Sequence, residues 1–541
     1  MAGTPQLPPT TTFGGVSTPK PDVFVAIPPS SPTMYDMKRA TSRSTNRSSS
    51  RRHLSRLESM IPEEQFKALQ PTRALYVTIT VALMGTFQLG WILTQLNYKP
   101  FNSKCGKSPI PADNCIMFPG HSGTEWTMAV TSWTIGAAIG TIGSSFPADK
   151  YGRQRTLYLN AIVMIIGAGL QSVATGIYLF AFGRLVSGIA AGAAVNVANV
   201  LVSEISPMEM RGLFATGLQV AIAFGSLAVT TCHYFIGYSY GWRLLVGFPI
   251  ALGGLQIFLL PFTAKSPVWL ISVGKPELAL AELNRLYLPC DTEAILHAIQ
   301  ASHDEMVEET VGINPWQSLF SKRYHLQLTI AIVLCVAKQL CGINAVMYYS
   351  SSIFASAGVN DPRIGNTIIN VVRTIGMVFA AKVMDKFHRR TLLLFGMGVM
   401  AAAATCISIS LIYASPILSV LATATYVGAY CFSIGSMAWM VTAEIFPDFL
   451  HASAGGIGTM FTFSGDFLVG ISYPTLSKPD VLSDYAFLIF LGFLVVFIVF
   501  TYFVVPETAQ RTFDEIQAEF DRVSPPSPKP VTEVDPFDSF K

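Results

Sequence analysis

The chain has 541 residues, of which 51% are hydrophobic and only 13% are charged, and its formal net charge is +3. Soluble domains carry about 25% charged residues, so this composition excludes an ordinary soluble protein and indicates an integral membrane protein. The nearly neutral charge balance gives no sign of a nucleic-acid partner.

The chain begins with a polar segment, residues 1–72, which is rich in Ser, Pro, Thr and Arg. This composition is typical of a disordered basic tail and not of a signal peptide. The basic stretch KRATSRSTNRSSSRRHLSR within it is either a solvated tail or a segment for phosphorylation or contact with anionic lipid.

Stretches long and apolar enough to cross a bilayer follow, and a charged segment separates the first six from the last six. They lie near 74–96, 126–147, 156–176, 178–202, 213–236, 243–262, 326–355, 364–384, 391–413, 416–443, 453–475 and 484–505. We therefore predict an all-α integral membrane protein with twelve transmembrane helices in two six-helix halves. The predicted domains are a cytoplasmic tail (1–72), an N-terminal half (73–262), a cytoplasmic linker (263–323), a C-terminal half (324–505) and a cytoplasmic C-terminal tail (506–541).

Lys and Arg residues set the predicted orientation. They crowd into the N-terminal tail, residues 149–155, the linker and residues 385–390, whereas the opposite loops contain few. Because Lys and Arg favour the cytoplasmic side, both termini are predicted to be cytoplasmic. The loop NSKCGKSPIPADNC would then face outward, and Cys105 and Cys115 in it are either bonded or two free thiols.

The two halves repeat short charged motifs at equivalent places. DKYGRQR (149–155) matches DKFHRR (385–390), and SEISP (203–207) matches AEIFP (443–447). A parallel repeat of this kind is typical of transporters with a substrate site at the midplane between the halves. The charged residues of these motifs are candidate gating residues: Asp149, Arg153, Glu204, Arg211, Asp385, Arg389, Arg390 and Glu444. The alternative for the basic residues is that they only maintain the orientation.

Four motifs carry a family resemblance. They are GRLVSGIAAG (183–192), SEISPMEMRG (203–212), KQLCGINAVMYYSS (338–351) and VPETAQRTFDEI (505–516). In this order they resemble those of the sugar porter family of the major facilitator superfamily, over about residues 75–515. The resemblance implies the major facilitator fold, alternating access and a small polar solute. It also implies a multi-pass membrane protein, in the plasma membrane by family default, with an internal membrane such as the vacuole as the alternative.

The resemblance also implies a substrate site. Gln219, Gln339, Asn344 and Trp439 match pocket residues of the family, and they suit a neutral solute rich in hydroxyl groups. Three further positions carry charges where the family has amides, namely Lys338, Arg373 and Asp466.

An ionisable residue at the centre of a membrane helix costs about 2.5–3.5 kcal/mol, so these three are expected to face a cavity or a partner. Either Asp466 pairs with Arg373 or Lys338 and merely joins helices, or one cation pairs with Asp466 and the other meets an anionic substrate.

The favoured function is therefore transport of a sugar or polyol. The alternatives are a carrier of a carboxylate-bearing or other anionic metabolite that uses Lys338 and Arg373, and a membrane solute sensor that does not transport. No phosphate-binding loop, nucleophile motif or metal-spaced cluster occurs in the sequence, so we expect no enzyme, cofactor or metal.

The expected partners are the solute and the lipid bilayer, with a proton as a candidate coupling ion. Ile92 stands where proton-coupled sugar porters carry an aspartate. This difference favours facilitated diffusion, or a proton carried elsewhere, for which Asp466 is the candidate.

Overall fold

The computed structural model of the chain describes residues 70–98, 101, 105, 115–236, 241–288, 292–310, 314–384, 387–509, 511 and 513–523. Almost all of the predicted N-terminal tail and residues 524–541 of the C-terminal tail lie outside these residues.

Helices make up nearly all of the described chain. The helices before the linker, here called the N-terminal helices, are α1 (Arg73–Thr94), α2 (Gly123–Gly143), α3 (Ser145–Tyr151), α4 (Arg153–Val173), α5 (Ile177–Ile205), α6 (Met208–Cys232) and α7 (Gly241–Leu259). The linker contains α8 (Pro267–Ser272), α9 (Pro276–Leu286), α10 (Thr292–Thr310) and α11 (Pro315–Leu319).

The helices after the linker, here called the C-terminal helices, are α12 (His325–Leu340), α13 (Ile343–Ser356), α14 (Pro362–Met384), α15 (Arg389–Ile412), α16 (Pro416–Phe432), α17 (Ile434–Ile445), α18 (Asp448–Leu476) and α19 (Phe487–Val504). A last helix, α20 (Phe513–Val523), follows them.

Helices overlap every predicted membrane span, which confirms the all-α fold class. Eight helical segments among the described residues are long and apolar enough to cross a membrane by length and composition. The helices α2, α6, α14 and α18 are not among these eight. Two of them carry charged residues of the predicted substrate site, Arg373 on α14 and Asp466 on α18, and such charges reduce the apolarity of a helix.

Two of the spanning segments are broken near their middles. The break between α12 and α13 is at Gly342, whose φ is +92° and whose added Cβ would lie 2.5 Å from the Phe490 ring. Glycine is required there, because other residues rarely adopt this backbone conformation and have no room for a side chain. The hydroxyl of Tyr426 donates to the Cys341 carbonyl at this break. The second break, between α16 and α17, is at Ser433.

Helices α2 and α5 cross at very close range. A Cβ added at Gly140 would lie 1.9 Å from the Ile189 carbonyl oxygen, and one at Gly188 would lie 2.1 Å from the Trp133 carbonyl oxygen. Small residues spaced four apart allow such backbone approach between membrane helices. The sequences GAAIG (136–140) and GIAAG (188–192) supply them on both helices.

The two ends of the helices are distinguishable by what lies there. At one end, here called the linker end, linker helices pack on the N-terminal helices, and the Tyr287 hydroxyl donates to the Ile205 carbonyl over 2.8 Å. At the other end, here called the disulfide end, the loop after α1 is closed by a Cys105–Cys115 disulfide. The pairing that the sequence left open is therefore present in the structure.

Candidate substrate site and gates

The break between α12 and α13 brings predicted site residues together. Lys338 and Gln339 lie in the last turn of α12, and Asn344 lies in the first turn of α13. The Asn344 Nδ2 donates to Gln339 Oε1 over 2.7 Å across the break. Discontinuous helices of this kind form the substrate sites of many transporters, because they place polar groups at membrane depth.

Lys338 points at the second broken segment. Its Nζ lies 5.6 Å from the ring centroid of Trp439, which is half-buried on α17. The Lys338 residue is only 8% exposed, and its ammonium group has no hydrogen-bond acceptor or carboxylate partner in the described part of the chain. The ammonium group of Lys338 thus makes a cation–π contact with the Trp439 ring, and this attraction is worth about 0.5–2 kcal/mol.

Arg373 connects the C-terminal helices to α6. Its Nη1 donates to the Ser226 hydroxyl over 3.1 Å and lies 3.5 Å from the Met347 sulfur. Its Nε is buried without a hydrogen-bond partner. Gln219 lies half-buried on α6, seven residues before Ser226 and therefore on the same helix face. The face of α6 that carries Gln219 is thus directed at Arg373.

Asp466 does not form the ion pair that the sequence suggested. It is 4% exposed, and its Oδ1 accepts from the Tyr348 hydroxyl over 2.6 Å. Within the described residues it makes no ion pair with Lys338 or Arg373, so both versions of that pairing were wrong for this structure. The reason is geometric, because the Tyr348 hydroxyl on α13 occupies the Asp466 carboxylate.

The charged motifs at the linker end form local ion pairs. Arg153 Nη2 lies 2.7 Å from Glu204 Oε1, and Arg153 Nη1 lies 3.2 Å from Asp149 Oδ1. These two pairs join the start of α4 to α5 and to α3.

The equivalent place in the C-terminal helices has a similar arrangement. Arg389 Nη2 lies 3.5 Å from Glu444 Oε1. The backbone N–H of Arg390 donates to Glu507 Oε2 over 3.2 Å, and its guanidinium donates to the Tyr502 carbonyl. Each described pair stays within its own set of helices. Asp385 and the side chain of Arg211 lie outside the part of the chain that the structure describes.

The disulfide end is closed by a network around Asn97, which follows α1. Its Nδ2 donates to the Met347 carbonyl and to the Ser350 hydroxyl, each over 2.8 Å, and its Oδ1 accepts from the Ser351 N–H over 3.1 Å. Asn366 on α14 completes the network by donating to the Asn97 carbonyl over 3.0 Å. One buried amide thus joins α1 to α13 and α14.

A second contact closes the same end. The Arg363 guanidinium lies 5.1 Å from the ring centroid of Tyr234, and Thr367 donates to the Tyr234 hydroxyl over 3.2 Å. Hydrogen bonds from Arg363 hold the pKa of the Asp361 carboxyl below its usual value. The hydrogen bonds of Asn97, Asn366 and Thr367, and that of Arg373 to Ser226, join the N-terminal to the C-terminal helices between the helix midpoints and the disulfide end.

A cavity of about 260 Å³ lies beside the Asn97 network. Its lining includes the aromatic residues Trp126, Tyr348, Tyr349 and Tyr473. Since Tyr348 also holds Asp466, this residue separates the cavity from the buried carboxylate.

Sequence reasoning missed several residues that organise the site, including Asn97, Ser226 and Tyr348. Arg184 is a further example, because it lies inside a recognised motif without an assigned role. It is fully buried, and its guanidinium donates to the carbonyls of Ile92, Ala129 and Val130 over 3.0, 3.2 and 2.7 Å. The signal in the sequence was Arg184 itself, because a cation within an apolar span needs hydrogen-bond acceptors around it.

Comparisons with known proteins agree with this architecture. Residues 75–520 match the family described as "Sugar (and other) transporter". The chain is 31% identical over 470 residues to human solute carrier family 2, facilitated glucose transporter member 3, covering 83% of this chain and 93% of the relative. It is 31% identical over 473 residues to human member 14, covering 84% and 89%. The fold matches a partially occluded inward open conformation of the xylose transporter XylE from E. coli, with a TM-score of 0.68, 22% identity, and coverage of 81% of this chain and 99% of that one.

Proposed function

We propose a substrate site, a gate and a mode of transport for this chain, which belongs to the sugar transporter family of the major facilitator superfamily. The protein is a multi-pass membrane transporter that moves a small polar solute, a sugar or polyol, by alternating access. Its proposed site is the space beside the two helix breaks. We further propose that the membrane is the plasma membrane and that the protein has no enzymatic activity.

The observation that carries the site is the pairing of two broken helices through Lys338 and Trp439. Trp439 offers an aromatic face to a sugar ring, while Gln339 and Asn344 supply amide donors and acceptors for hydroxyl groups. Gln219 would approach the same solute from the N-terminal helices. A site that draws on both sets of helices is exposed to either side as the two sets rock against each other.

The closed network around Asn97 is the proposed outer gate. If the termini are cytoplasmic, the disulfide end faces outward, and this structure is closed to the outside. The ion pairs of Arg153 and Arg389 are then inner-gate elements, proposed to hold each set of helices rigid while the linker end opens and closes.

Transport is proposed to be facilitated and not driven by protons. Ile92 carries no carboxylate, and Arg184 is satisfied by backbone carbonyls that include that of Ile92. This part of the molecule therefore holds no proton-binding acid beside the buried cation. Asp466 is the remaining candidate for a proton carrier, and the variant Asp466→Asn tests this role.

The test is uptake of labelled D-glucose, D-xylose and a polyol by purified protein in proteoliposomes. We expect saturable uptake that is accelerated by unlabelled solute on the opposite side and unchanged by a proton gradient. Binding without uptake would identify a sensor and contradict the proposal. Gradient-driven accumulation that disappears in Asp466→Asn would contradict facilitated transport and assign the proton to Asp466.

A further inference from the structure

The geometry points to a solute that is a sugar bearing one carboxylate group, held by Lys338 and Arg373. This inference rests on the proposed function and narrows the substrate class of the same site. A neutral sugar needs hydrogen-bond donors and acceptors, whereas two buried cations without a carboxylate partner among the described residues favour a negatively charged ligand.

Lys338 carries the first part of the argument. Its ammonium group is buried and has no carboxylate or carbonyl acceptor among the described residues, and it lies over the Trp439 ring. An ammonium group has three donors and no acceptor, so it cannot receive a hydrogen bond from a sugar hydroxyl. A buried charge without a partner is costly, and a bound carboxylate would remove that cost.

Arg373 carries the second part. Its Nη1 is held by Ser226 of α6, whereas its Nε is buried without a partner. Lys338 is 8% exposed and Arg373 is 9% exposed, so both cations are buried. Two buried like charges in one site are unfavourable without an anion, and an anion bound by both would offset this cost.

Asp466 does not provide that anion within the protein. Its carboxylate is held by the Tyr348 hydroxyl, and it makes no ion pair with either cation in the described part of the chain. Even when Asp466 is counted as ionised, the three side chains leave a net charge of +1. One carboxylate on the solute would balance this charge.

The neutral half of the site explains why a carboxylated sugar fits better than a simple carboxylic acid. Gln339 and Asn344 keep an amide pair at the break, and Trp439 keeps an aromatic face. These groups suit the hydroxyls and ring of a sugar, while the cations suit the carboxylate. Charge-assisted hydrogen bonds are about twice as strong as neutral ones, so the carboxylate would dominate selection.

The experiment compares D-glucuronate and D-galacturonate with D-glucose and D-galactose in proteoliposomes. We expect the wild-type protein to take up a uronate about tenfold or more better than the matching neutral sugar. Lys338→Gln should lower the ratio of uronate uptake to neutral-sugar uptake by about tenfold, and Lys338→Arg should retain the preference for the uronate in part. Lys478→Gln removes the same charge from an exposed position at the disulfide end. This control should change neither the uptake of uronates nor the uptake of neutral sugars.

The outcomes separate this inference from the proposed function. Uptake of neutral sugars with no uptake of uronates and no competition by them would overturn the inference and leave sugar transport standing. No uptake of either class by protein that unfolds cooperatively on heating would overturn both. The wild-type comparison needs no variant, so a Lys338→Gln protein that fails to fold leaves the test intact.

Discussion

At the scale of single residues, the proposed site differs from a purely neutral sugar pocket through its charges. The sequence showed that Lys338, Arg373 and Asp466 stand at positions where amides are usual, but it suggested the wrong partners. The structure gives Lys338 an aromatic face, Arg373 a hydroxyl and Asp466 a phenol. Each charge is thus held by a neutral group, and the cations stay available to a ligand.

Trp439→Ala tests the aromatic platform. We expect the half-saturation concentration for the transported solute to rise about three- to thirtyfold, because the solute and Lys338 both lose the ring face. Concentration-dependent uptake in proteoliposomes measures this change. Trp316→Ala in the linker removes an indole that is 53% exposed and serves as the control. An unchanged half-saturation concentration and maximal rate in Trp439→Ala would place the site elsewhere.

At the scale of helices, small residues and breaks determine where polar groups can stand. The break at Gly342 exposes the ends of α12 and α13, where Lys338, Gln339 and Asn344 lie. The contact between α2 and α5 has the opposite role, because its backbone-to-backbone packing makes the N-terminal helices rigid. A moving transporter needs both a polar centre and rigid parts that move around it.

Gly140→Val tests the contact between α2 and α5. A Cβ there would lie 1.9 Å from the Ile189 carbonyl oxygen, so we expect a loss of stability of at least about 1–3 kcal/mol and a lower yield of folded protein. Thermal unfolding in detergent measures this loss of stability. Gly143→Val is the matched control on the same helix, because a Cβ at Gly143 would meet nothing within 4 Å. Equal melting temperatures for the two variants would refute the close packing.

At the scale of the whole molecule, hydrogen bonds toward the disulfide end join the N-terminal to the C-terminal helices. The Asn97 network is the centre of this closure, since one amide contacts both α13 and α14. Opening the molecule at this end requires that these hydrogen bonds be exchanged for others. We therefore propose that these polar contacts influence the balance between the two access states.

Asn97→Ala should shift the population toward the state that is open at the disulfide end. The readout is labelling by a membrane-impermeant maleimide of a cysteine placed at Thr127, which lines the 260 Å³ cavity. We expect labelling to be several-fold faster in Asn97→Ala. Asn196→Ala is the control, because Asn196 bonds Thr141 and Ser144 within the N-terminal helices alone. Identical rates in the two backgrounds would show that Asn97 is not a gate.

The orientation of the whole chain is a separate prediction. Both termini should be cytoplasmic, because Lys and Arg crowd into the tail, the linker and the motifs at the linker end. In sealed, right-side-out cells, tags on either terminus should be protected from external protease, whereas a tag in the loop that contains Cys105 and Cys115 should be cleaved. Cleavage of a terminal tag would invert the assignment of inner and outer gates.

The sequence by itself determined the fold class, the approximate positions of the helices and the family. These follow from local properties of the chain, because an apolar stretch of sufficient length has to cross the bilayer as a helix. The sequence also identified which charged residues need a partner or a cavity, but it did not determine the partners. Only the tertiary structure decided that Asp466 meets Tyr348, 118 residues away, and that Asn97 meets Asn366, 269 residues away. Such contacts depend on distances of about 3 Å between separate helices, which the spacing of residues along one helix does not encode.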